Sequence, residues 1–289
     1  MSSAITRRVV ACFSACASLI ASPALAREEA VPHSGIASTS LCADTYVLAL
    51  APEDAIAALS WQVDQPVSAA PPWSRALPKA WPDAARLLEL SPALTVFGTG
   101  EGGRTARLLE RAGHSVLELA WADDFEAVRD NLHALGLATG RARDAAAVVA
   151  GIDQRLERLN ERAAARLRAP RILYLSASGG SAGAGTYVDA AIAAAGGVNV
   201  MAERGAIGWT RSDPELALGL EADIVLTSFF ADGYASTFNR ARRHAAYRRL
   251  LEHPARAEIP AGVWPCAGPR LIDAAELIAD AIDAWERDR

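Results

Sequence analysis

Apolar residues recur along positions 139–168 at helical spacing. Val148, Ile152, Leu156, Leu159, Ala163 and Leu167 follow one another at intervals of four, four, three, four and four. That spacing lays a single apolar stripe along a helix. Arg143, Asp153, Arg155, Arg158, Glu161, Arg162 and Arg166 occupy the remaining faces, and no proline intervenes before Pro170. The pattern predicts one helix over 139–168, a rod of roughly 45 Å at 1.5 Å per residue. It reads as a rigid spine joining two lobes, although an ordinary long helix on the surface of one domain carries the same pattern.

Short apolar runs flank this stretch on both sides, alternating with segments of helical period. Before it, strands are predicted near 36–40, 55–60, 94–98 and 115–119, with helices between them and a last helix from Asp123 to Leu135 capped by Asp123 or Asp124. After it, strands are predicted near 171–176, 223–227 and 258–263, and helices near 187–195, 213–219, 245–252 and 271–285. A Gly/Ser/Ala loop is expected over 178–186. Such βαβα alternation argues for mostly parallel sheets with helices on both faces. The halves echo each other: Glu89 to Val96 and Gly219 to Leu226 each read as a helix end, a tight turn and a strand, about 130 positions apart. The fold class is therefore α/β, two Rossmann-like lobes joined by one long backbone helix, with a ligand cleft between the lobes at the carboxyl ends of the strands.

The first 26 residues stand apart from this plan. Arg7 and Arg8, an apolar run from Val9 to Ile20 and Ala24-Leu25-Ala26 make a cleavable signal peptide, too short for a membrane span. Domains follow as 1–26 signal peptide, 27–138 N-terminal lobe, 139–168 linking helix and 169–289 C-terminal lobe. Export to the periplasm is the expected localisation. The full chain carries a net charge of −5. Without the signal, 27 basic residues face 34 acidic ones, a net charge of −7, and no basic stretch suggests nucleic acid. Cys42 and Cys266 remain, and the compartment permits a disulfide between them; two buried free thiols are the equal alternative.

Motifs for chemistry are sparse. Gly180 to Thr186 lies where a phosphate loop would, but Gly185 stands in place of the lysine and Val188 in place of a third glycine. That loop reads better as small residues that let backbone amides approach a ligand or the other lobe. The histidines His33, His114, His133, His244 and His253 share no metal-ligand spacing. Ser, His and Asp are all present, but no local arrangement of them marks a nucleophile, so nothing points positively to an enzyme. Aromatic placement is the stronger signal. Trp61, Trp73, Trp81, Trp209 and Trp264 fall in predicted loops or strand ends, where several indoles converging on a cleft would give flat, rigid contact area.

At this point the chain resembles the periplasmic solute-binding proteins of ABC importers for metal chelates, namely ferric siderophores, haem and cobalamin. The residues that carry the resemblance are Ile36 to Asp44, the Leu90 to Leu94 turn, the spine helix, the loop ending Ala182 to Thr186, Gly196 to Val200, and Trp264 to Arg270. The resemblance extends over 34–289 as one such binding domain. It implies no enzyme activity and no covalently bound cofactor. Its implied ligand is a corrinoid or ferric chelate, handed to a membrane permease with its ATPase, by a monomeric protein that binds no nucleic acid. Ligand-binding residues so implied are Cys42, Trp61, Trp73, Gly185, Tyr187, Trp209, Trp264 and Arg270. Trp209, six residues before Glu215, sits at the offset of the stacking tryptophan in the cobalamin branch, while the tyrosine expected in the first lobe is Gln65. For permease docking the family uses an acid on each lobe. Glu215 matches in the second; in the first, Ala85 replaces the acid and Asp83 is the nearest carboxylate.

Overall fold

The computed structural model describes residues 35–228, 244–264 and 266–289; the expected signal peptide lies outside them. The first half lays down β1 (Ile36–Ser38), α1 (Leu41–Leu50), β2 (Ile56–Ser60), β3 (Lys79–Ala80), α2 (Ala84–Leu90), β4 (Leu94–Phe97), α3 (Gly103–Arg111), β5 (Val116–Glu118) and α4 (Phe125–Ala138). Its five strands form one parallel sheet in the order β3-β2-β1-β4-β5. The helix α5 (Ala142–Ala164) follows. The second half contains β6 (Arg171–Ser176), β7 (Gly180–Ala182), α6 (Tyr187–Ala194), β8 (Val198–Asn199), α7 (Val200–Glu203), β9 (Trp209–Arg211), α8 (Pro214–Leu218), β10 (Ile224–Ser228), α9 (Ala245–Leu251), β11 (Arg256–Glu258) and α10 (Leu271–Arg287). Its main sheet is parallel, in the order β11-β10-β6-β8. The α/β reading with two parallel sheets holds.

Local chemistry explains the helix starts. Ser40 caps α1 by accepting from Ala43 N–H, Asp124 caps α4 by accepting from Ala127 N–H, and Asp213 caps α8 with Pro214 in the first turn. The central helix is shorter than 139–168. Thr139 and Gly140 close α4 instead: Thr139 folds its hydroxyl back on Leu135 O at 2.7 Å, and Gly140 has φ +68°, which a glycine adopts without a Cβ clash. At the other end Arg166 leaves the helix to bond Ala195 O and Asp283. Leu167, expected on the apolar stripe, is fully exposed. Of the expected stripe Ile152 and Leu159 are buried and Val148, Leu156 and Ala163 half-buried, while Ala145 and Val149 join the buried side.

The helix joins the two halves. It packs on α4 and α10, and one apolar core runs from Ile36 and Val96 through Leu159 to Tyr174 and Ile278. A ladder of charges seals its outer edge: Arg155 to Asp273 and Glu276, then Arg162 to Asp280 and Asp283. The loop expected over 178–186 also contains a feature its composition hides. Gly180–Ala182 pairs antiparallel with Trp209–Arg211, because Ser181 donates its hydroxyl proton to Tyr174 O at 2.7 Å and anchors the segment. This ribbon presents Trp209.

Candidate functional site

A cavity of about 180 Å³ opens between the halves, at the carboxyl ends of their strands. Topology alone puts ligands at such ends in parallel sheets. From the first half come Cys42 at the start of α1, Thr99 and Glu101 after β4, and Trp121 after β5; from the second come Tyr187 and Trp209. Trp121 is 60% exposed and Trp209 47% exposed, so both indoles are accessible to an incoming molecule.

Tyr187 is the first residue of α6. Thr186 caps that helix, accepting from Asp189 N–H and donating to Gly183 O. Gly185, at φ +72°, makes the turn into the cap. The Tyr187 ring meets Trp209 edge-on at 5.0 Å, and Trp209 in turn lies 6.5 Å from Tyr174. Burial pushes the Tyr187 phenol up, and nearby Asp123 adds to the shift; the ring is a neutral wall. Cys42 and Cys266 form a disulfide on the cavity floor, their Cα atoms 5.4 Å apart. Beside it Tyr46 donates to Ala267 O at 2.9 Å, and Asn131 donates to the Tyr46 hydroxyl at 3.3 Å. The same Asn131 amide grips both backbone groups of Ala120, at 2.8 and 2.9 Å. It thereby fixes the segment from which Trp121 projects. Burial, partly offset by Asn131, pushes the Tyr46 phenol up to about 12.

Several residues expected at the site are elsewhere. Trp264 is 0% exposed; its Nε1 donates to Ser228 Oγ at 2.9 Å and its ring packs edge-on to Tyr174. It supports the aromatic wall from behind, because a buried indole needs an acceptor and finds one at the end of β10. Gly185 shapes the turn and does not line the cavity. Trp61 and Trp73 lie in 3-10 turns after β2, and neither lines it. Arg270 lines a separate groove, where it pairs with Asp273 and bonds Gly262 O. Asp83 caps α2 and Glu215 sits in the first turn of α8, both exposed. Trp121, Tyr46, Asn131 and Glu101 were missed by the sequence reading. A search for residues just beyond each predicted strand end would have found Trp121 and Glu101. Among the described residues no group of His, Cys, Asp and Glu is placed to hold a metal ion.

The family model described as periplasmic binding protein matches residues 36–262. The chain is a periplasmic binding protein. Curated cobalamin-binding proteins from two strains of Halobacterium salinarum are 29% identical over 153 residues. The match takes in 51% of this periplasmic binding protein and 41% of the length of those relatives. Among solved structures, the periplasmic haem-binding protein of Vibrio cholerae superposes with a TM-score of 0.70 at 19% identity, over 86% of this chain and 99% of that one. The periplasmic vitamin B12-binding protein of the same organism gives 0.65 at 20%, over 89% and 99%. A periplasmic haem-binding protein from Pseudomonas aeruginosa gives 0.66 at 25%, over 86% and 92%.

Proposed function

We propose that this periplasmic binding protein is the substrate-binding subunit of an ABC importer, and that it captures a metal chelate in the cavity between its halves. The observation that carries the reading is the aromatic gap itself. Trp209, braced by Tyr187, lines it from the second half and Trp121 from the first. Rings with few rotamers to freeze suit a flat, rigid ligand. Among the described residues no histidine, methionine or free thiol lines the gap, which suits a chelate whose coordination sphere is already complete. A corrinoid fits this best, in keeping with the cobalamin-binding relatives; a ferric siderophore is the next ligand to try. At about 180 Å³ the cavity takes one face or edge of such a molecule and leaves the rest in solvent.

In this reading residues 1–26 direct export and are removed. The monomer then docks on the permease through exposed Glu215 on one half and Asp83 on the other, and the ATPase drives release. The functional test is tryptophan fluorescence during titration with cyanocobalamin, a ferric siderophore and haemin. Saturable quenching at micromolar levels or below by one of them is expected, and no response to any would overturn the proposal.

A further inference from the structure

The cavity is chemically one-sided. Among the described residues that line it, Glu101 is the single carboxylate, and no Arg, Lys or His accompanies it. The cysteines are spent in the disulfide. Burial raises both lining phenols, Tyr46 and Tyr187, so neither contributes charge at neutral pH. Glu101 is held in place: one of its oxygens accepts from Gly98 N–H at 3.2 Å. The same loop is tied from the other side by Glu118, which accepts from Gly100 N–H at 2.8 Å. Asp123 lies close enough for its charge to act on the Tyr187 phenol. Among the described residues no ion pair neutralises Glu101, Glu118 or Asp123. Among the described residues, a ligand entering the gap therefore meets carboxylates and hydrogen-bond acceptors, and no cation that would receive an anionic group.

We infer that Glu101 sets the charge selectivity of the cavity: it favours neutral or cationic chelates whose rim carries N–H donors, and it rejects chelates whose rim carries carboxylates. This rests on the proposal that the cavity is the chelate site. A corrinoid with amide side chains satisfies the rule. Haem, with two propionates, and carboxylate siderophores violate it.

The test measures dissociation constants by tryptophan fluorescence for cationic aquocyanocobinamide, neutral cyanocobalamin and haemin. Wild type, Glu101→Gln and Glu101→Arg are compared, with circular dichroism to confirm that each variant is folded. One unit charge at a half-exposed site changes the affinity of a charged ligand by about three- to tenfold. Wild type should prefer aquocyanocobinamide to haemin. The preference should shrink about threefold or more in Glu101→Gln and further in Glu101→Arg. In wild type alone, added salt should weaken aquocyanocobinamide binding and strengthen haemin binding. If a corrinoid binds but neither the substitutions nor salt shift the preference by more than about twofold, the inference on Glu101 fails while the assignment of the cavity stands. If none of the three ligands binds, both fail.

Discussion

Tyr46 and Ala267 are 221 positions apart in the chain, yet the Tyr46 hydroxyl donates to the Ala267 carbonyl at 2.9 Å in a buried setting. This bond and the neighbouring disulfide fasten the first half to the second at the floor of the cavity. The contact differs from a surface hydrogen bond because its loss strands two groups: the Ala267 carbonyl and one Asn131 N–H. Tyr46→Phe should cost about 1–3 kcal/mol, the range for a buried polar group left without a partner. Urea denaturation would measure it. A cost near zero would show that water reaches this floor.

The disulfide makes a second clasp at the same place. It closes a sequence separation of 224, and long loops gain most in the chain-entropy account. Reduction, or Cys42→Ala with Cys266→Ala, should lower stability by about 2–5 kcal/mol. Differential scanning calorimetry with and without reductant reads this directly, and an unchanged melting temperature would contradict it.

The tryptophans divide into two classes that mutation should separate. Trp264→Ala removes a fully buried ring and its bond to Ser228, at a cost of about 3–5 kcal/mol. Trp209→Ala and Trp121→Ala remove exposed rings and should leave the melting temperature nearly unchanged. Each should weaken the ligand about tenfold or more, consistent with an aromatic hot spot. The comparison of melting temperature with affinity across the three variants decides whether the classes are real.

Two sets of carboxylates give opposite pH signs. Asp44 is 1% exposed, and burial raises its pKa although Ser38 and Ser60 bond it. The unfolded chain ionises this group first. Stability from Asp44 is therefore greatest below the unfolded value, about 3.9, and falls as pH rises toward the higher folded value. Hydrogen bonds from Arg155 hold Glu276 below its ordinary range. Those from Arg168 do the same for Asp223. Their contribution is present above the unfolded values and is lost on acidification through the folded ones. Denaturation midpoints against pH should show the acid-side loss shrink in Arg155→Ala, and the loss on raising pH above the unfolded Asp44 value shrink in Asp44→Asn. Parallel curves for wild type and both variants would refute the assignment.

The legible part of this fold was the part written in period and punctuation. Ile152 and Leu159 mark the buried stripe of α5, and Asp213 with Pro214 marks the start of α8, because spacing and capping are local chemistry. The ends of α5 were overrun because the apolar pattern continues through Leu167, whereas the actual stops come from partners far away: Arg166 bonds Ala195 and Asp283. The ribbon of β7 and β9 escaped notice for a similar reason, since Gly180 to Ala182 has no strand propensity and is held by Ser181 on Tyr174. At the site, Tyr187 and Trp209 were legible and Trp264 was misplaced, since sequence does not distinguish an indole that walls a cavity from one that backs the wall. Trp121 went unnoticed because its position depends on Asn131 gripping Ala120 across eleven residues.

The most direct test of the central claim is a crystal structure of the protein with cyanocobalamin. The account predicts density for the corrin ring in the gap between Trp121 and Trp209, over the Cys42–Cys266 floor. A ring seated instead in the groove beside Arg270, or a protein that takes up no ligand at saturating concentration, would contradict it.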